Sequence, residues 1–118
     1  MSTFDHIGLM ASINANLAEF RRAQPAVTQG FSQLAQAALA PGAIDAKNKE
    51  LIALAIGVSQ RCSGCIGFHM KALQRLGATR QEVEEALGIC VYMGGGPALM
   101  YAAEAMSTWD ELQPPKAT

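Results

Sequence analysis

Cys62-Ser63-Gly64-Cys65-Ile66-Gly67-Phe68-His69 is the stretch on which the fold turns, because no other segment of the chain is as dense in groups that do chemistry near neutral pH. Wound as an α-helix at about 100° per residue, it sets Cys65 about 60° from Cys62, and His69 about 40° from Cys65 and about 20° from Cys62. Two thiols and an imidazole then share one face. Ser63 and Gly64 suit the opening of a helix, with Cys62 at or near its N-cap, where unpaired backbone N–H groups and the helix dipole favour a thiolate. A dithiol so placed is a redox site.

Immediately upstream, Asp45 is a good N-cap for a helix in which Leu51, Ile52, Leu54, Ile56 and Val58 leave little polar face, and this helix is expected to be the most buried. Within it Glu50 shares a face with Leu54, Gly57 and Val58. A turn near Arg61 puts Glu50 about 16 Å up one helix and His69 about 12 Å up the next, so an antiparallel pair lets the two meet. Gly57 would admit the neighbouring helix closely. A carboxylate pressed into that packed surface suits proton transfer; the alternative is an early-helix glutamate that serves the dipole beside Lys47 and Lys49. Alone, His69 reads as a structural histidine. Its register with both cysteines points instead to a group that takes a thiol proton and later protonates a leaving oxygen.

Downstream, the cysteine-bearing helix carries Ile66, Phe68, Leu73 and Leu76 and stops at Gly77. Thr79-Arg80-Gln81-Glu82 is a capping box that opens a helix through Val83, Leu87, Cys90 and Val91, with Cys90 a small buried apolar residue. Gly94-Gly95-Gly96 breaks that helix and Pro97 opens a last one through Leu99, Met100, Ala103 and Met106 to about Trp109. The glycine run lacks the lysine and Ser/Thr of a phosphate-binding loop, which favours a tight interhelical turn. Towards the N-terminus, Phe4, Ile7, Met10, Ile13, Leu17 and Phe20 recur at helical spacing between about Thr3 and Arg22. Pro25 then opens a second helix, with Val27, Phe31, Leu34 and Leu39 on its apolar face and Pro41-Gly42 at its end. No stretch alternates with a period of two. The expectation is an all-α bundle of about six helices in a single domain over residues 1–112, followed by a flexible tail over residues 113–118.

The chain has 118 residues, half of them apolar, and nine Lys plus Arg against ten Asp plus Glu. That balance gives no basic surplus to hold nucleic acid or an anionic membrane. The first residues show no basic segment followed by an apolar run, and no later segment is long and apolar enough to span a bilayer, so a soluble cytoplasmic protein is expected. Three cysteines, two of them at catalytic spacing, fit a reducing compartment better than a secreted disulfide framework. Helices this apolar in a chain this short point to a homo-oligomer. No cofactor is called for. Two thiolates and an imidazole, with Glu50 or water as the fourth ligand, would make a zinc site, whereas haem and iron–sulfur spacings do not fit.

Together these residues resemble the alkylhydroperoxidase D-like branch of the carboxymuconolactone decarboxylase family. The likeness covers at least Ala46 to Met106 and lies in Lys49-Glu50, Cys62-x-x-Cys65-x-x-x-His69, Gly77-Ala78-Thr79 and Met93-Gly94-Gly95-Gly96-Pro97. It implies an all-α bundle assembled as trimers or hexamers, and a thiol-dependent peroxidase that reduces hydroperoxides. In that scheme Cys65 attacks the peroxide, Cys62 resolves the sulfenic acid, Glu50 and His69 relay protons, and an external dithiol of lipoyl or thioredoxin type restores the cysteines. Two features depart from the pattern. The best-known peroxidase of this type has a histidine just before its second cysteine, where this chain has Gly64, and it is a longer chain. The helix-start argument also favours Cys62 as the more acidic thiol, whereas the resemblance favours Cys65. The alternatives are a decarboxylase acting on a muconolactone-like acid, although that branch lacks the cysteine pair, and a zinc-held or redox-sensing binding module.

Overall fold

The computed structural model describes residues 4–114, and its helices are α1 (His6–Ala23), α2 (Pro25–Leu39), α3 (Ala46–Ser59), α4 (Ser63–Arg75), α5 (Arg80–Gly94) and α6 (Gly96–Glu111). Six helices and no strand make up the regular structure of the described residues. Most boundaries have a local cause. Asp5 accepts the Gly8 N–H at 2.9 Å, Asp45 the Asn48 N–H at 2.8 Å, and Thr79 the Glu82 N–H at 3.1 Å while Glu82 reaches back to the Thr79 N–H. Each satisfies a backbone donor that the first helical turn leaves without a partner. Pro25 and Pro97 sit in the first turns of their helices, where a missing N–H costs nothing. The glycine run breaks the chain more sharply than expected. Only Gly95 separates α5 from α6, and its φ of 69° makes the corner. Gly77, at φ 79°, ends the α4 region in the same left-handed conformation.

At the centre lies the α3–α4 hairpin. Gln60, Arg61 and Cys62 connect the two helices, with Arg61 at φ 58° and the Cys62 N–H donating to the Gly57 carbonyl at 2.9 Å. Leu54 and Val58 of α3 interlock with Ile66, Met70 and Leu73 of α4, and Val83 of α5 and Trp109 of α6 close over them. Each of the fully buried Leu, Ile and Met side chains contributes on the order of 1.5–3 kcal/mol by leaving water. Across the surface, Lys47 on α3 meets Glu82 on α5 at 2.7 Å. Hydrogen bonding to Lys47 holds the Glu82 carboxyl below its ordinary value, and the same bond raises the lysine.

One expectation about burial needs correction. α3 is not the most buried helix: Ile52 and Ile56 face outward, and α4 places more residues in the core. α2 buries none of its residues, and Val27, Phe31 and Leu34 all lie on the surface. Helical spacing identifies an apolar stripe but not what covers it, and here α2 touches only α1 and α3 among the described residues. The first helix starts at His6, not near Thr3, which lies outside the described residues, as does most of the expected tail beyond Pro114.

Candidate active site

The α3–α4 hairpin assembles the four residues singled out by their spacing. Cys62 is the N-cap of α4, and its Sγ accepts the Cys65 N–H at 3.2 Å, taking up a donor that the first turn would otherwise leave open. Cys62 and Cys65 are joined as a disulfide, with their Cα atoms 5.2 Å apart. Each cysteine is partly accessible. One turn further along α4, His69 Nδ1 lies 2.6 Å from Glu50 Oε2. Glu50 is only 6% exposed and lies beyond the first turn of α3, so it does not serve that helix's dipole at an open terminus. The neighbouring lysines are engaged elsewhere, Lys47 with Glu82 and Lys49 with the Ala38 and Ala40 carbonyls at 3.0 and 2.6 Å. His69 keeps 28% of its side chain in solvent, so the pair runs from a buried carboxylate to an accessible imidazole. With the proton on Nδ1 donated to Glu50, Nε2 keeps a free lone pair and can act as a base.

Glycines set how tightly the helices meet here. A Cβ on Gly57 would come within 3.1 Å of the Cys65 Cβ, so the glycine brings α3 directly against the cysteine helix. On the other side of α4, a Cβ on Gly64 would meet the Ile13 Cδ1 at 2.7 Å, and one on Gly67 the Met10 side chain at 3.0 Å. α1 crosses there. A side chain at position 64 would start in space that the tip of Ile13 fills and would need that tip to move aside.

Sequence spacing did not single out a second group at the same turn. The Ser63 hydroxyl donates to Glu104 Oε2 at 2.9 Å, and His6 Nε2 lies 3.0 Å from that same oxygen. The only local signal is that Glu104 and Glu111 are two turns apart on one face of α6. Cys90, by contrast, is remote from the pair. It is buried, with its Sγ near the Ala55 and Ala86 carbonyls at 3.6 and 3.5 Å, and burial pushes its thiol up. Among the described residues no group of three or more His, Cys, Asp or Glu could hold a metal ion. Nor is any helix there long and apolar enough to cross a membrane.

The model of the carboxymuconolactone decarboxylase family matches residues 25–108, a span that contains Glu50, both site cysteines and His69. The chain belongs to the carboxymuconolactone decarboxylase family. Among solved family structures, the apo form of lpg0406 from Legionella pneumophila is 51% identical, with a TM-score of 0.91 over 92% of this chain and 97% of its own. A family protein from Thermotoga maritima, for which a part in the antioxidative response has been suggested, is 30% identical with a TM-score of 0.78 over 87% of this chain and 88% of its own. An uncharacterized protein of Cupriavidus necator is 39% identical over 87% of this chain and 91% of its own length. Uncharacterized protein 4 in the cox locus of Paracoccus denitrificans is 34% identical, covering 87% of this chain and 93% of its own length.

Proposed function

We propose that this family member is a thiol-dependent peroxidase of the alkylhydroperoxidase D-like branch, reducing hydroperoxides with Cys65 and Cys62 as its redox couple. The observation that carries the reading is the Glu50–His69 contact of 2.6 Å one turn from a cysteine pair close enough to form a disulfide. Decarboxylation of a lactone needs no such dithiol. In the reduced protein, His69 takes the Cys65 proton, with Glu50 steadying the imidazolium that results. The Cys65 thiolate attacks the outer oxygen of ROOH, the O–O bond breaks, and His69 returns a proton to the departing alkoxide as ROH. Cys65 is left as a sulfenic acid. The Cys62 sulfur then attacks Cys65, hydroxide leaves as water, and the disulfide forms. An external dithiol donates two electrons and two protons to reopen it, so the sum is ROOH plus dithiol giving ROH, water and the reductant's disulfide. The Thermotoga relative's suggested antioxidative part agrees with this chemistry.

Cysteine variants separate the roles. Cys65→Ser should abolish peroxide turnover. Cys62→Ser should react once and stop, leaving a Cys65 sulfenic acid that a dimedone-type probe traps and that excess peroxide drives on to sulfinic acid. Mass spectrometry after one equivalent of hydroperoxide is the measurement. A dimedone adduct on Cys62 in the Cys65→Ser protein would instead reverse the roles, as the N-cap hydrogen bond to the Cys62 sulfur would favour. Full activity on a muconolactone-like acid after both cysteines become serine would replace the peroxidase with a decarboxylase.

A further inference from the structure

Side chains from three distant parts of the chain meet at the turn that carries the cysteines. Glu104 Oε2, on α6, accepts the Ser63 hydroxyl at 2.9 Å and lies 3.0 Å from His6 Nε2 at the start of α1. Ser63 follows Cys62 directly and is the first residue of α4, so whatever holds its side chain holds the backbone turn from which both sulfurs project. His6 is clamped in turn. Its backbone N–H donates to Glu111 Oε1 at 3.1 Å, and its ring Nδ1 faces Glu111 Oε2 at 3.6 Å. The residue is 3% exposed, and His6 Nδ1 and Glu111 Oε2 are both buried without a hydrogen-bond partner. Each ring nitrogen thus looks onto a carboxyl oxygen. Asp5, next to His6 in the chain, is taken up by the Gly8 N–H at 2.9 Å, and from α4 Ser63 reaches the same Glu104 oxygen. Neither His6 nor Glu111 lies within the segment matched by the family model. A buried charge cluster of this kind is costly unless its members are paired, so its position against the cysteine turn calls for a reason.

We infer that His6 and Glu104 are a positioning pair for the dithiol: Glu104 grips the Ser63 hydroxyl and sets a negative charge beside the first turn of α4, and His6 offsets it. The balance between them sets the thiol–disulfide equilibrium of Cys62 and Cys65, an assignment that rests on the dithiol reading above. When two glutathione thiols are oxidised to one glutathione disulfide, the Cys62–Cys65 bond breaks and its two sulfurs take up two electrons. Wherever one sulfur remains a thiolate, a proton is released and a new negative charge stands at the helix start. A nearby carboxylate opposes that charge and a nearby imidazolium favours it.

The test is the equilibrium of the intact protein with glutathione mixtures, quenched in acid, alkylated and read by mass. Glu104→Gln should move the equilibrium about threefold or more towards the dithiol, because the amide keeps an acceptor for Ser63 and drops the charge. His6→Gln should move it about as far towards the disulfide. A purely structural role would loosen the turn in both variants and shift both the same way, so shifts of one sign, or none, overturn the inference. If either variant fails to fold, Ser63 decides. Ser63→Ala, which leaves the Glu104 charge in place without the hydroxyl that partly offsets it, should favour the disulfide, and Ser63→Thr, which keeps the hydroxyl, should restore the original equilibrium. No shift in Ser63→Ala, or a shift towards the dithiol, overturns the inference. A native protein with no reversible Cys62–Cys65 couple would remove the dithiol reading itself. A normal couple with unresponsive variants would remove only the role of His6 and Glu104.

Discussion

Glu50 is a carboxylate that the fold takes out of water and places against an imidazole, and its substitution isolates what that arrangement does. Glu50→Gln keeps the shape but cannot accept the proton that His69 would hand on, so alkylation of the reduced cysteines should slow by roughly tenfold to a hundredfold. Circular dichroism should show the helices intact. Alkylation rates followed across pH are the measurement, and an unchanged profile would return Glu50 to a packing role. The meeting of Glu50, Cys62, Cys65 and His69 at one hairpin was legible because local spacing carries it: three lie within eight residues on α4 and its N-cap, and the fourth is found by folding one helix back on the next at Arg61. His6 and Glu104 were not legible. They are 98 residues apart and meet only because α1 and α6 both pack beside the start of α4.

At the scale of the elements, three glycines determine how closely α4 can be approached, and the neighbours they face differ in how far they can yield. The Gly57 Cβ position lies 3.1 Å from the Cys65 Cβ, an atom fixed to the backbone of a helix and tied through its sulfur to Cys62. Alanine there gains up to about 1 kcal/mol of helix propensity but must push two packed helices apart, at a cost of about 1–3 kcal/mol. Gly57→Ala should therefore lower the urea midpoint and disturb the Glu50–His69 register. Gly64→Ala meets only the tip of Ile13, which can rotate away, so its stability should stay within about 1 kcal/mol of the native chain. Equal midpoints for the two variants would mean that α3 and α4 have slack at this point. Helix boundaries were legible for the same local reason as the site, since Asp45, Thr79, Pro25 and Pro97 act within their own first turns. Which faces are buried was not, because that depends on partners elsewhere in space. Ile52 and Ile56 look as deeply apolar in sequence as Leu54 and Val58, yet only the second pair meets α4 and α5.

For the whole molecule the unresolved balance is α2, fifteen residues with no buried side chain. A helix of that length is marginal in water on its own and is normally held by packing of an apolar face. Here that face is open. Phe31 is 70% exposed, and with Leu17, Phe20 and Val27 it lines a groove of about 480 Å³ between α1 and α2. Ile89, Tyr92 and Met93 on α5 and Met100 on α6 are exposed as well. Single exposed apolar residues are ordinary, but an apolar groove like that between α1 and α2, in a chain of 118 residues, is the kind of surface that a subunit contact would cover. Light scattering at micromolar concentration should therefore report a homo-oligomer, and the resemblance implies a trimer or hexamer. Phe31→Asp should weaken that assembly, since a carboxylate at a buried contact must be desolvated without a partner. If association is what holds α2, its amide hydrogens should exchange faster on dilution and faster still in Phe31→Asp, while those of the α3–α4 core stay protected. A native chain that is monomeric at micromolar concentration, with α2 amides as protected as those of α4, would mean that α2 is held without a partner and would remove oligomerisation as the reason for its apolar face.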